Sequence, residues 1–115
     1  MSEIDKIVDF VIANSPYTDR EIIKEYINIH LGYGTCDYAF NGNGKVAYVC
    51  RWNIENRTAV ILDLIISKRF RRKGLIKKIL QKNLDRFPFV HFLSWKRGNK
   101  YPNRKPRIYS VREIL

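Results

Sequence analysis

The sequence contains few of the residues that build disulfide frameworks or metal sites. Among 115 residues there are only two cysteines, Cys36 and Cys50, and two histidines, His30 and His91. Two cysteines do not make a disulfide scaffold or a thiolate metal site, so we interpret both as small buried hydrophobic side chains. The histidines lie in separate segments, which disfavours a zinc site. The sequence therefore predicts no bound metal.

Long apolar stretches are lacking as well. No apolar run reaches the roughly 18 residues of a membrane span, and the segment 1–10 is too acidic for a secretory signal. Apolar residues nevertheless make up 45% of the chain and aromatic residues 13%, which excludes a disordered composition. We predict a soluble, cytoplasmic protein that forms one domain over residues 1–115 and has no membrane partner.

Acidic residues are scarce in one half of the chain. Residues 1–66 hold six Lys/Arg and nine Asp/Glu, whereas residues 67–107 hold fifteen Lys/Arg and one acid, Asp85. The formal net charge is +11. This asymmetry favours a surface that binds phosphate or another anion. The partner could be a nucleotide cofactor or nucleic acid, and charge alone does not decide between them.

Hydrophobic periodicity predicts three helices and five strands in the order ααβββαββ. Helices are expected at 3–13, from Thr18 to Leu31, and at 71–86. Thr18 and Glu21 resemble a capping box that begins the second helix. A hairpin turn is expected at 41–44, and a polar turn at 53–57. The predicted strands cover residues 35–40, 45–52, 58–67, 89–95 and 107–114.

The strand at 59–66 is apolar on both faces apart from Asp63. Such a strand belongs in the middle of a sheet that is covered on both sides. The strand–helix–strand unit at 59–95 requires a right-handed crossover, which favours parallel pairing of its two strands. We therefore predict an α/β (α+β) fold with a central mixed β-sheet and helices on both faces.

The segment 62–76 combines the end of this buried strand, a basic turn and a helix that opens around Gly74. The first amides of a helix lack intrahelical partners and lie at the positive end of its dipole. They can therefore hold a phosphate, and Arg71, Arg72 and Lys73 would add positive charge at the rim. The alternative is that these basic residues only form a solvated helix start.

This segment resembles motif A of the GNAT superfamily of N-acetyltransferases, a strand followed by Q/R-x-x-G-x-G/A. Here the motif reads Arg71-Arg72-Lys73-Gly74-Leu75-Ile76, with Ile66 as the last hydrophobic residue of the strand. The order of elements up to the strand at 89–95 also agrees with that family. Ile76 stands where the family usually has Gly or Ala, and the segment 96–106 lacks the periodicity of the family's fourth helix.

The resemblance implies an acetyl-CoA-dependent N-acetyltransferase that acts on an amine acceptor. Main-chain amides of six residues would hold the pyrophosphate of the cofactor, and the end of the preceding strand would pair with its pantetheine arm. The strands at 59–67 and 89–95 would splay apart to admit the thioester. The cofactor-binding residues carried over are Leu64, Ile65 and Ile66 on the strand, and Arg71, Arg72, Lys73, Gly74, Leu75 and Ile76 in the motif.

Three residues are candidates for catalysis. Burial of Asp63 would raise its pKa towards that of a general base. Its alternative role is a carboxylate bound to neighbouring backbone or to a buried arginine. Tyr101 and Tyr109 could protonate the leaving thiolate, or lie at a domain edge as amphipathic side chains.

The basic face at 68–107 supports a second interpretation. Basic residues in the loop 95–107 alternate with Trp95 and Tyr101, a pattern that could pair with phosphates and stack on bases. It could equally contact the cofactor's phosphates or an acidic acceptor, or be solvated. The alternative function is therefore a catalytically inactive GNAT-like domain that binds nucleic acid or an acidic partner.

Overall fold

A computed structural model describes residues 2–95 and 107–114, and the chain forms its elements in the predicted order. Three main helices and five strands are present, with a 3₁₀ turn at Lys68–Phe70. The elements are α1 (Glu3–Ala13), α2 (Arg20–Tyr33), β1 (Cys36–Phe40), β2 (Val46–Glu55), β3 (Thr58–Ile66), α3 (Leu75–Leu84), β4 (Phe92–Trp95), β5 (Arg107–Ser110) and a helical turn α4 (Val111–Ile114).

The five strands form one mixed sheet in the order β1-β2-β3-β4-β5. β1 and β2 pair antiparallel, β3 and β4 pair parallel, and β4 and β5 pair antiparallel. β3 is thus the central strand, and its parallel pairing with β4 confirms the predicted strand–helix–strand unit. Leu62 is 37% exposed, so β3 is less completely covered than its apolar sequence predicts.

The chain divides into two compact units. The first unit comprises Met1–Arg51 and Asp63–Arg71, and the second comprises Trp52–Leu62 and Arg72–Leu115. β2 and β3 contribute residues to both units. A single domain over residues 1–115 stays a prediction.

The core of the first unit lies between α1, α2 and the strands β1 and β2. Its buried residues recur at helical spacing on the two helices, and on β1 the buried Cys36 alternates with the partly buried Tyr38 and Phe40 on the same face. Arg20 also donates to Asp5 at 2.9 Å and forms an ion pair with Asp9, so charge on α2 holds α1. The buried cluster is Ile7, Val8, Val11, Ile23, Ile27, Cys36, Val46 and Val49.

The second unit buries apolar residues from β2, β3, α3 and β4. Edge-to-face ring pairs join Trp52 to Phe87 and Phe87 to Phe89, with centroids 6.2 and 6.1 Å apart. The buried residues are Trp52, Ala59, Ile61, Ile79, Leu80, Leu84, Val90 and Leu93.

The structure corrects several predicted boundaries. α3 begins at Leu75 rather than 71, because Gly74 has a φ of 83° that is incompatible with helix. β2 extends to Glu55, and the turn is confined to Asn56 and Arg57, which both have positive φ. β4 begins only at Phe92, since Pro88 and Phe89 still belong to the turn after α3. The segment predicted as a strand at 107–114 leaves the sheet after Ser110, its last pair with β4, and ends in α4.

The N-cap predicted for α2 was also wrong: the N-cap is Asp19 and not Thr18. The Asp19 carboxylate accepts from the main-chain N–H of Ile22 at 3.2 Å. A carboxylate caps as well as a hydroxyl and adds a favourable charge at the positive end of the helix dipole. The capping box predicted for Thr18 and Glu21 is therefore not formed: Asp19 caps the helix, and Ile22 at the third helical position has no polar side chain to bond back.

We expect Asp19→Ala to lower the free energy of unfolding by about 1 kcal/mol, the usual cost of an N-cap. Thr18→Ala is the matched control and should change stability by less than about 0.5 kcal/mol, since Thr18 is exposed. Urea unfolding followed by circular dichroism measures both. The reverse order of effects would restore Thr18 as the cap.

Candidate functional site

β3 ends at Ile66, and a short turn connects it to the basic segment that follows. The main-chain N–H of Ser67 donates to the carbonyl of Ala47 at 2.8 Å, and that of Phe70 donates to Ser67 at 2.9 Å. These bonds fix the exit of the chain from the sheet. Of the predicted pantetheine-contacting residues, Leu64 and Ile65 are half-buried and Ile66 is buried.

Pairing of β3 with β4 is described for three residue pairs. The pairs run from Thr58 with Phe92 to Val60 with Ser94, and β3 continues to Ile66. The described part of β4 ends at Trp95, next to the segment 96–106 that lies outside the described residues. A strand edge that is free of such pairing presents N–H and C=O groups that an extended ligand can use.

Arg71 is anchored to the strand that precedes it. Its Nε donates to the main-chain carbonyl of Ile66 at 3.1 Å, and its backbone is extended, with φ −71° and ψ 103°. One of the five guanidinium donors is thus used to fix the turn. The Arg71 side chain therefore bonds the last residue of β3, a contact that the sequence motif alone does not reveal.

Gly74 is the N-cap of α3 in the left-handed conformation, with φ 83° and ψ −3°. The N–H of Leu75 donates to Arg72 at 3.1 Å, and that of Lys78 donates to Gly74 at 3.1 Å. Among residues 2–95 and 107–114, no acceptor is found for the main-chain N–H groups of Lys73, Gly74 and Ile76. The turn therefore presents unpaired donors at the positive end of the α3 dipole.

The surroundings of Gly74 are open. Within the described parts of the chain, no atom lies within 4 Å of the position that a Cβ would take. Ile76 is half-buried and at helical spacing shares a face with Ile79 and Leu80, which are buried. The branched side chain of Ile76 thus leaves the space beside Gly74 unfilled. The position of a Cβ at residue 74 is therefore unoccupied in the described structure.

The basic side chains of this segment are exposed. None of Lys68, Arg69, Arg72 or Lys73 forms an ion pair with an acid in the described part of the chain. Among the residues predicted to bind the cofactor, Arg72 and Lys73 therefore have exposed, positively charged side chains. These two charges satisfy the charge requirement of a phosphate site.

Asp63 forms a buried ion pair with Arg51. The Nε of Arg51 donates to Oδ2 of Asp63 at 2.8 Å, and each side chain is 9% exposed. The Tyr26 ring lies 5.7 Å from Cζ of Arg51, a cation–π contact. Among the described residues no donor reaches Oδ1 of Asp63. The sequence analysis allowed for a buried arginine beside Asp63 but did not identify Arg51.

Tyr17 belongs to the same group of side chains in the first unit. Burial raises the pKa of Tyr17, and the negative charge of Asp63 raises it further, while Arg51 lowers it. Tyr17 is still 38% exposed. A carboxylate, a guanidinium and two tyrosines therefore interact at the edge of the first unit. An acid on an otherwise apolar strand was the only signal of this cluster in the sequence.

One of the other two catalytic candidates falls within the described residues. Tyr109 is half-buried on β5 of the second unit, opposite Leu93 in the register. Tyr101 and the loop 96–106 lie outside the described residues. The catalytic assignments of Asp63, Tyr101 and Tyr109 stay predictions.

Both cysteines are buried, as the sequence analysis predicted. Burial raises the pKa of Cys36 to about 11 and also raises the pKa of Cys50. The thiolate is the reactive form, so at pH 8 only about one thousandth of Cys36 would be reactive. We expect neither cysteine to react with an aromatic disulfide reagent in the native protein at pH 8, and both to react in denaturant. Release of the coloured thiolate is the measurement, and rapid native reaction of one equivalent would contradict the burial of these thiols.

The structure also bears on metals and membranes. In residues 2–95 and 107–114 no three His, Cys, Asp or Glu side chains come together at a potential metal site. No helix in that part of the chain has the length and hydropathy needed to cross a bilayer.

The fold was compared with known proteins. No protein-family model and no curated protein sequence matches the chain, but solved structures do. A GNAT-family acetyltransferase of Staphylococcus aureus Mu50 matches with a TM-score of 0.62 and 13% identity, over 94% of this chain and 92% of that one. The chain has the GNAT fold.

Two further structures with related folds are longer than this chain. The diaminobutyrate acetyltransferase of Paenibacillus lautus, in complex with L-2,4-diaminobutyric acid and coenzyme A, matches with a TM-score of 0.63 and 12% identity. The match covers 80% of this chain and 58% of that one. A protein of Pyrococcus horikoshii matches with a TM-score of 0.63 and 17% identity, over 87% of this chain and 37% of that one. The chain thus spans little more than half of the first and little more than a third of the second.

Proposed function

We propose that this protein is an acyltransferase that transfers the acetyl group of acetyl-CoA to an amine. The observation that carries the proposal is the turn at Gly74, where main-chain N–H groups lack acceptors in the described part of the chain and the position of a Cβ is unoccupied. The GNAT fold supports it, as does the coenzyme A bound to the Paenibacillus lautus enzyme.

The pyrophosphate of the cofactor is proposed to bind at residues 71–76. The N–H groups of Lys73, Gly74 and Ile76 lack acceptors in the described part of the chain, so a diphosphate would satisfy donors that already point outward. Exposed Arg72 and Lys73 add charge-assisted bonds. The αL conformation of Gly74 lets the backbone approach the ligand closely.

The pantetheine arm is proposed to extend along β3 at Leu64, Ile65 and Ile66. These residues are the end of β3, and their main chain would bond an amide-bearing chain as an added strand would. When bound, acetyl-CoA supplies an activated acetyl thioester. The chain's own part is to hold an amine next to it and to direct main-chain donors at the developing oxyanion.

The proton transfers are assigned to the three predicted residues. Asp63 keeps Oδ1 without a donor among the described residues, so this oxygen can accept the proton of the attacking amine. Arg51 holds the carboxylate in place through Oδ2. Tyr109 or Tyr101 would return a proton to the departing thiolate.

Isothermal titration with acetyl-CoA tests this proposal directly. We expect binding at micromolar to sub-millimolar concentration, with CoA and acetyl-CoA competing for one site. Failure to bind at millimolar concentration would remove the proposed function and leave the fold intact. Turnover is then measured with a panel of amines, and a thiol reagent detects the CoA that is released. Because Cys36 and Cys50 are buried, they add little background to this assay.

A further inference from the structure

The exposed side of α3 carries lysines that the proposed acyl transfer does not use. Lys77 and Lys78 are exposed, and neither forms an ion pair with an acid in the described residues. Lys73, which is exposed as well, lies just before Gly74 at the N-terminal end of the same helix. Uncompensated cations along a helix attract a polyanion, and on this helix they continue beyond the motif.

A cavity of about 600 Å³ lies in the second unit next to the C-terminal end of α3. This volume falls in the range of about 300–1,000 Å³ that is usual for sites of organic ligands. The cavity combines apolar rings with side chains that can donate or accept hydrogen bonds. Its polar lining residues are Gln81, Asp85, His91, Ser110 and Arg112, and its aromatic ones are Phe87 and Phe92.

Two aromatic rings in this region are exposed. Phe92 is 45% exposed and Phe89 is 52% exposed. Phe92 is held on β4, where its N–H donates to the carbonyl of Arg57 at 3.1 Å. Phe89 is held by its edge-to-face contact with Phe87. Both rings thus expose apolar faces to solvent, and nucleobases stack on such faces.

We propose that the second unit binds single-stranded nucleic acid, with phosphates along Lys73, Lys77 and Lys78 and one base in the cavity against Phe92. Gln81 would donate or accept hydrogen bonds at the edge of that base, and Asp85 would accept them. A duplex keeps its bases stacked and paired, so it cannot fill the cavity. This activity goes beyond the proposed acyl transfer and does not depend on it, although the two ligands would compete for Lys73.

The phosphate contacts are tested by fluorescence anisotropy with RNA and DNA oligonucleotides of about 12 nucleotides, a common footprint for single-strand binding modules. With about three phosphate contacts, one for each lysine, log K should fall against log salt with a slope of about −2. The variant Lys77→Gln/Lys78→Gln should reduce that slope by about 1.4. Lys6→Gln/Lys45→Gln removes the same charge from exposed positions of the first unit and should leave the slope within about 0.5 of its original value. Equal effects of both pairs would overturn the proposal, because binding would then follow net charge alone.

The base contact is tested with Phe92→Ala. Loss of one stacked base should weaken single-strand binding by about 5- to 150-fold, and Phe92→Leu should weaken it similarly because leucine has no π-face. Thermal unfolding by circular dichroism checks that both variants fold. Binding of either the RNA or the DNA strand supports the proposal, and binding of neither overturns it. Equal affinity for a duplex of the same sequence, or full affinity in both Phe92 variants, would also overturn it.

Discussion

The Gly74→Glu variant is expected to lose detectable binding of acetyl-CoA. Gly74 has a φ of 83°, and a residue with a Cβ pays about 1–2 kcal/mol in that conformation. The added carboxylate would face the diphosphate, and two like charges about 4 Å apart repel by about 4 kcal/mol near a protein surface. The repulsion alone weakens binding by about a thousandfold, whereas the strain lowers the stability of the turn in the free and the bound protein alike.

Gly32→Glu is the matched control. Gly32 lies in α2, has no positive φ, and no described atom lies within 4 Å of its potential Cβ. The same charge is thus added at a position that has no backbone strain and is not one of the residues of the proposed site. Titration calorimetry should show unchanged binding for Gly32→Glu and none for Gly74→Glu. Similar affinities in the two variants would move the phosphate site away from Gly74.

Removal of one partner of the buried ion pair should cause the largest loss of stability. Each side chain of Arg51 and Asp63 is 9% exposed, so Asp63→Ala leaves a guanidinium buried without its counter-charge. The expected loss in the free energy of unfolding is about 3–5 kcal/mol. The cation–π contact with Tyr26, at 5.7 Å, compensates little of it, since such contacts contribute about 0.5–2 kcal/mol.

A double substitution separates the effect of the buried charges from that of the surrounding packing. Arg51→Met/Asp63→Leu replaces both charges by apolar groups and should recover most of the stability, because the desolvation cost disappears with the charges. Glu55→Ala controls for the loss of an exposed acid and should stay within about 0.5 kcal/mol. Chemical denaturation measures these two variants, Asp63→Ala and the unsubstituted protein. A loss below about 1 kcal/mol in Asp63→Ala would mean that the pair is solvated in solution.

A second substitution at Asp63 distinguishes a structural role of this carboxylate from a catalytic one. Asp63→Asn keeps an oxygen that can accept from Arg51 but cannot take a proton. If Asp63 is the general base, acetyl transfer should fall by about 10²–10⁴-fold while acetyl-CoA binding is retained. Unchanged turnover in a folded Asp63→Asn protein would leave the carboxylate with its structural role only.

The fold was accessible from sequence because its signals are local and mutually consistent. Helical spacing in α1 and α2, the apolar run of β3 and the glycine after the basic turn each predict their element independently. Gly74 was predicted as the centre of the site, and its open αL geometry follows from what only glycine tolerates.

What the sequence could not supply is mostly a matter of side-chain partners. The ion pair of Asp63 with Arg51 joins residues on different strands, and no local pattern specifies it. The N-cap could not be assigned by rule either, since Thr18 and Asp19 are adjacent and both can cap. The start of α3 was predicted too early, because lysines and arginines favour helix and only backbone geometry excludes Gly74 from it.

The most direct test of the account is an amide-resolved NMR titration with coenzyme A, with the 3′,5′-diphosphate of adenosine and unrelated anions as reference ligands. The donors of Lys73, Gly74 and Ile76 lack acceptors in the described structure. Their amide resonances should therefore move downfield first and furthest as the diphosphate binds. Saturable shifts that spare these three amides, or none at millimolar coenzyme A, would contradict the proposal that this turn is the cofactor site.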